Sequence, residues 1–133
     1  MTENQNLLFH LAIPSANLDE SADFYSRLGC RIARRYHDRV TVEFLGHQVV
    51  CHLSPDKIDM SPEVYPRHFG ITFTEEALFD RMLCTIAEQK IQFFREPFIR
   101  FKGLREEHRT FFVMDPSNNL LEFKYYCDPG MVY

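Results

Sequence analysis

The sequence predicts an α+β fold built from two copies of a βαβββ unit, and three observations carry that prediction. Short strand-like runs dominate, with only two amphipathic helical stripes among them. The order of elements repeats along the chain. The two copies also start alike, with Phe9-His10-Leu11-Ala12-Ile13 aligning over Arg67-His68-Phe69-Gly70-Ile71. At 133 residues the chain fits one domain. Within it we place module one at about 7–53, a linker at 54–66 and module two at about 67–126.

Each element has a local reason. Leu7 to Ile13 is an apolar run closed by Pro14, which reads as a strand. Asn17 can cap a following helix with Glu20 in capping-box position. Leu18, Ala22, Tyr25 and Leu28 form its buried stripe, and Gly29 ends it. Three strands follow, Arg31 to His37, Val40 to Leu45 and Gln48 to Leu53, with turns at Asp38-Arg39 and Gly46-His47. The proline-rich stretch Ser54 to Pro66 reads as a connection.

The pattern then starts again. His68 to Phe73 is a strand, and Thr74 is placed to cap a helix running to about Lys90, with Phe79, Met82, Leu83 and Ile86 on its buried face. Further strands are expected at Ile91 to Phe94, Thr110 to Met114 and Leu120 to Tyr126. Asp115-Pro116-Ser117-Asn118-Asn119 has the composition of a tight turn between the last two.

Composition narrows the function classes. Hydrophobic residues make up 45% and charged residues 26%, ordinary values for a packed globule and a poor fit to a disordered or disulfide-scaffold chain. A chain of this size can bury a core without metal or disulfide staples, so a metal here would be functional rather than structural. The net charge of −4 and the lack of a Lys/Arg run argue against nucleic acid as a partner. No apolar run nears the roughly 20 residues that cross a bilayer, and no secretory leader is apparent, so no membrane partner is expected. Cys30, Cys51, Cys84 and Cys127 form no C-x-x-C pair, which suits reduced thiols and a cytoplasmic location.

Strand parity isolates a polar set. Phe9, Leu11 and Ile13 share one face of the first strand, leaving His10 with small Ala12 on the other. Phe69, Ile71 and Phe73 leave His68, Gly70 and Thr72. Leu121, Phe123 and Tyr125 leave Glu122 and Lys124. With the apolar faces packed on the helices, His10, His68 and Glu122 fall on a second sheet face with room for a ligand. Two histidines and one carboxylate are the donor set of a facial Fe(II) site with open positions, and they also suit Zn, Ni or Mn. The same residues equally suit hydrogen-bonded or surface side chains, with Glu122 in an ion pair.

The segment His10-Leu11-Ala12-Ile13 through Asn17-Leu18-Asp19-Glu20-Ser21-Ala22-Asp23-Phe24-Tyr25-Ser26-Arg27-Leu28-Gly29 resembles the opening module of the vicinal oxygen chelate superfamily. Phe111-Phe112-Val113-Met114-Asp115-Pro116-Ser117-Asn118-Asn119-Leu120-Leu121-Glu122-Phe123 is similar to its F-x-D-P-x-G-N-x-x-E-F ending. The resemblance spans almost the whole chain and is more specific for fold than for reaction. It implies a glyoxalase/dioxygenase-like fold, in which paired modules form a curved mixed sheet around a metal-centred cavity. It also implies His10, His68 and Glu122 as the ligands of a divalent metal.

His52 falls by parity on the cavity side of the last strand of module one. In the extradiol dioxygenases of the superfamily a non-ligand His handles protons, and His52 suits that catalytic role; a fourth-ligand role stays open. A one-residue change of register would turn Cys51 inward instead. Pro97 to Arg109 reads as a loop that can cover the cavity mouth, with His108 or Arg109 reaching the substrate, or as solvated surface. His37 and His47 read as surface residues.

The leading expectation is an Fe(II)-dependent extradiol-type dioxygenase, taking O2 and a small catechol-like substrate. One departure stands against it, because Phe111 and Phe112 occupy the stretch where such enzymes often carry a Tyr. The alternatives are a glyoxalase-like lyase or epimerase using Zn, Ni or Co, and a metal-free antibiotic-binding protein. A homodimer is expected, with modules paired within or between subunits.

Overall fold

A computed structural model describes residues 6–133. The element order is β1 (His10–Ser15), α1 (Leu18–Arg27), β2 (Arg31–Arg35), β3 (Arg39–Phe44), β4 (His47–Leu53), β5 (Phe69–Phe73), α2 (Glu76–Glu88), β6 (Phe93–Arg100), β7 (His108–Met114) and β8 (Leu120–Tyr126). Short 3-10 turns lie at Pro55–Lys57 and Pro129–Met131. The fold is α+β, with two four-stranded mixed sheets ordered β1-β4-β3-β2 and β5-β8-β7-β6. In each sheet the first and last strands of the module run parallel and the other pairs antiparallel.

The chain divides into two compact units. One runs to Met60 and includes Pro116–Asn118; the other comprises Ser61–Asp115 and Asn119–Tyr133. In the first, the Asn17 side chain accepts the Glu20 N–H at 3.0 Å, and Gly29, at φ +106°, supplies the left-handed residue that ends α1. Ala22, Tyr25 and Leu28 are buried against Val40, Val42, Phe44, Val49 and Cys51. These strand residues alternate, so one sheet face packs on α1 and the other carries His10, Val50 and His52. Pro116–Asn118 joins this unit through Ser117, whose buried hydroxyl accepts the Ala16 N–H at 2.8 Å.

In the second unit, Phe79, Met82 and Ile86 of α2 are buried. Phe79 meets Phe111 edge-on at 5.5 Å, and Phe111 stacks on Phe123 at 5.4 Å. The turn between β7 and β8 closes on Asp115, whose carboxylate accepts from both the backbone N–H and the side-chain amide of Asn119 at 2.9 Å. Asn118, at φ +65°, takes the left-handed position.

Several expected bounds need correction: β1 runs through Pro14 to Ser15, β2 stops at Arg35 and β5 starts at Phe69, leaving His68 just before it, and four further differences follow. β1 begins at His10 rather than Leu7, because its parallel pairing with β4 starts at the His10–Gln48 step; Leu7, Leu8 and Phe9 are exposed. The turn between β3 and β4 centres on Leu45 and Gly46, both at positive φ, one residue earlier than expected. The cap of α2 is Glu75 rather than Thr74, without a side-chain cap bond, and the helix stops at Glu88. Most consequential for the site, β6 extends through Pro97 to Arg100, so the expected loop shrinks to residues 101–107. Register shifts on either side of Arg95 accommodate Pro97 on this edge strand.

Candidate metal centre

His68 ends the connection into β5, and Glu122 lies mid-way along β8, opposite Gly70. Gly70 is required there: a Cβ on it would lie 1.7 Å from the Glu122 carbonyl oxygen. The close approach brings His68 Nε2 to 3.1 Å from Glu122 Oε1. His68 Nδ1 lies 2.5 Å from the Val64 carbonyl, which can only accept, so Nδ1 carries a proton and Nε2 is the ring nitrogen turned to Glu122. The Thr110 hydroxyl donates to Glu122 Oε2 at 2.6 Å in a buried bond. Glu122 is 8% exposed. Tyr65 and Phe112 flank the His68 ring edge-on at 5.8 and 5.4 Å.

Nε2 and Oε1 stand 3.1 Å apart, the spacing of an ion pair when Nε2 carries a proton and of two neighbouring ligands when a cation takes that proton's place. Cis ligands of an ion at about 2.1 Å stand roughly 3 Å apart, so the pair fits two adjacent corners of a transition-metal sphere. The bonds to Val64 and Thr110 are of the kind that orient metal ligands. A cavity of about 210 Å³ opens beside the pair, lined also by Gly70, Thr72 and Lys124.

His10 shows the same preparation in the first unit. Its Nδ1 donates to Gln48 Oε1 at 2.7 Å, leaving Nε2 as acceptor. The registers of the two sheets also identify the counterpart of Glu122. Leu11 and Ala12 pair with Val49 and Val50, as Phe69 and Gly70 pair with Leu121 and Glu122. Where module two has its carboxylate, module one has Val50, which is buried and cannot ligate. Among the described residues no group of three or more His, Cys, Asp or Glu side chains is gathered as a metal site.

The other expected residues are distributed differently. His52 shares a face with His10 but lies opposite Pro14, four strand residues or about 13 Å along, and is exposed. Cys51 faces the α1 side, fully buried. His108 stands on the Glu122 face, four register steps along, opposite Tyr126. It is 4% exposed, with Nδ1 donating to the Glu106 carbonyl at 2.9 Å and its ring tilted against Tyr126 at 4.7 Å. Arg109 points to the helix side, where its guanidinium binds Glu76 at 2.9 Å and Asp80 at 2.8 Å and lies over Phe79 at 4.5 Å. Its surroundings are those of a clamp between β7 and α2. His47 is exposed and its Nδ1 accepts the Phe9 N–H at 3.4 Å.

Sequence reasoning missed Thr110, Gln48, Tyr65 and the Val64 carbonyl. Gln48 was within reach, because it is the register partner of His10.

The model of the Glyoxalase/Bleomycin resistance protein/Dioxygenase superfamily matches residues 7–123. The chain belongs to this superfamily. A solved structure described as a glyoxalase/bleomycin resistance protein/dioxygenase from Alicyclobacillus acidocaldarius is 55% identical, with TM-score 0.94 over 98% of this chain and 99% of that one. The fosfomycin resistance protein FosX from Listeria monocytogenes is 14% identical, with TM-score 0.72 over 96% and 98%. Lactoylglutathione lyase from Agrobacterium tumefaciens is 12% identical, with TM-score 0.66 over 90% and 93%. At those identities the last two speak for fold alone. No relative among the curated proteins reaches significance. Superfamily proteins typically hold a divalent metal and act on small molecules, and the prepared His68–Glu122 pair suits that habit. Among the described residues no helix is long and apolar enough to cross a membrane.

Proposed function

We propose that this superfamily member is a metal-dependent enzyme acting on a small substrate that chelates through two neighbouring oxygens, with His10, His68 and Glu122 as the protein donors. The observation that carries this reading is the His68–Glu122 pair, a nitrogen and an oxygen of ligand type 3.1 Å apart, each anchored on its far side by Val64 or Thr110. His10 joins on the resemblance and on its matching tautomer. With Val50 where a fourth ligand would stand, the set is two His and one Glu, for which Fe(II) is the favoured ion and Zn, Ni or Mn the alternatives. When bound, such an ion supplies Lewis acidity toward the substrate oxygens and, as Fe(II), reactivity toward O2.

The residues of the chain do the rest. Thr110 orients the Glu122 carboxylate by donating to Oε2, and the Val64 carbonyl orients the His68 ring by accepting from Nδ1. Tyr65 and Phe112 shield the His68 ring from water. The reaction we favour is extradiol-type cleavage of a catechol-like ring, since three protein donors leave positions for two substrate oxygens and O2. The distance of His52 from His10 weakens its role as proton carrier and favours, as the second reading, a lyase or epimerase that uses no O2. We take the working assembly to be a cytoplasmic homodimer, to be checked by sedimentation.

Metal content of protein purified without chelator, combined with O2 uptake on catechols, tests the proposal. Stoichiometric Fe(II) with O2 uptake that His68→Ala abolishes is the expected result. Zn or Ni with no O2 uptake selects the second reading, and full activity of His68→Ala overturns both.

A further inference from the structure

The cavity beside Glu122 holds a cation that the proposed chemistry does not use. Lys124 is two residues beyond Glu122 on β8, opposite Thr72 of β5 and Thr110 of β7, and all four side chains share one sheet face. Lys124 lines the cavity together with Thr72, His68 and Glu122. It is half-buried. No carboxylate lies within ion-pair reach of it among the described residues. Its only hydrogen-bond partner there is the Tyr126 hydroxyl at 3.3 Å, with the ammonium 5.2 Å from that ring. Neighbouring Glu122 is committed elsewhere, to His68 and Thr110. An ammonium has three donors, so at least two have no protein acceptor among the described residues.

Charge accounting points the same way. A divalent ion on two neutral imidazoles and one carboxylate leaves a single positive charge, and Lys124 raises the total at the cavity to two. Such a site favours a substrate that brings negative charge at two places.

We infer that Lys124, assisted by the Thr72 hydroxyl, is a specificity-determining anion subsite, and that the substrate carries an acidic group, a carboxylate or a phosphorus oxyacid, besides its chelating oxygens. The inference rests on the metal reading above for the position of those oxygens. Lys124 lies two residues along β8 from Glu122, so the acidic group should lie about 7 Å from the chelating pair. That is roughly the span of one aromatic ring bearing a carboxylate opposite its oxygens.

The test uses full-length protein loaded with metal, its content measured first, and calorimetric titration with three probes: catechol, 3,4-dihydroxybenzoate and neutral 3,4-dihydroxybenzamide. The expected result is that wild-type protein binds the benzoate at least about tenfold tighter than catechol or the benzamide. Lys124→Gln should abolish this preference while leaving catechol affinity within about twofold, and Lys124→Arg should restore it. Equal affinity for the three probes in wild type, or a preference that survives Lys124→Gln, overturns the inference while the metal reading stands. Should the protein take up no metal, the metal reading falls. Benzoate on the metal-free protein then decides the subsite: Lys124-dependent binding upholds it, and no such binding overturns it.

Discussion

Gly70→Ala is the sharpest available perturbation, because its effect can be worked out without assuming any activity. The added methyl would sit 1.7 Å from the Glu122 carbonyl oxygen, and its other near neighbours are the carbon and nitrogen of the same residue at 2.7 and 2.9 Å. All three are backbone atoms, so no side chain can swing aside. Ordinary contact begins near 3.4 Å, so β5 and β8 would have to part by about 1.7 Å. Paired strands stand about 4.8 Å apart, and a separation of that size breaks the ladder bonds around the Gly70–Glu122 step. Two or three such bonds at about 1 kcal/mol each give a loss of about 2–3 kcal/mol, in the usual range for overpacking. The same movement displaces Glu122 from His68, whose spacing of 3.1 Å cannot absorb it, so divalent-metal affinity should fall by at least about tenfold. Urea denaturation measures the first effect and calorimetric metal titration the second. Gly130→Ala is the control, since its nearest contact is the Asp128 side chain at 3.2 Å, and it should cost under about 1 kcal/mol. A Gly70→Ala protein within about 0.5 kcal/mol of wild type and unchanged in metal affinity would refute the argument.

Three further outcomes follow from the same contacts. Thr110→Val removes the hydroxyl that Glu122 Oε2 accepts and leaves a buried carboxylate oxygen unpaired. Metal affinity should drop about tenfold or more with a stability loss of about 1–3 kcal/mol, read by metal titration and urea melts, and Thr110→Ser should recover both. His52→Gln should alter turnover by less than about threefold, given its distance along β4 from His10. A loss of a hundredfold, the scale of a general acid–base residue, would restore it as the proton carrier. Burial pushes the Cys30 thiol up to about 12, against a backbone hydrogen bond from Leu45 that lowers it. The unfolded thiol ionises near pH 9 while the folded one stays neutral, so this group's stabilisation is intact below about pH 8 and falls as pH rises from 9 toward 12. The slope is at most about 1.4 kcal/mol per pH unit, and wild type compared with Cys30→Ala in urea melts between pH 7 and 10.5 should show it.

Much of the fold was legible because its signals are local. Asn17, Glu20 and Gly29 mark both ends of α1, and the structure uses Asn17 and Gly29 in those roles. Parity worked for Glu122 and Cys51 because a strand with one buried face tolerates no slip of register. The errors fall where a partner strand decides. Leu7, Leu8 and Phe9 look like a strand from composition, yet β4 starts only at His47 and the ladder at the His10–Gln48 step, with Phe9 bonding to its first residues from outside the ladder. Pro97 suggested a loop, but on the edge strand β6 its missing N–H costs no ladder bond, and bulges take up the kink.

The candidate site was legible as residue types and only partly as geometry. His68, Glu122 and His10 were visible because histidine and glutamate interrupt apolar strands. Their supports were not, since a threonine in a strand and a valine carbonyl in a turn carry no compositional mark. The asymmetry of the repeat is the deeper case. A reading by residue type searches Gln48 to Leu53 for a second carboxylate, finds none, and settles on His52 because it is the titratable residue available. Register shows that the position to examine is Val50, the counterpart of Glu122 opposite Ala12. A buried valine there removes one donor from a repeat that otherwise prepares the same imidazole tautomer twice. The consequence is chemical as well as structural. On the metal reading proposed above, a site with Val50 in place of a fourth protein ligand has a position to give to substrate or co-substrate, and Lys124 is the protein feature we expect to select the molecule that fills it.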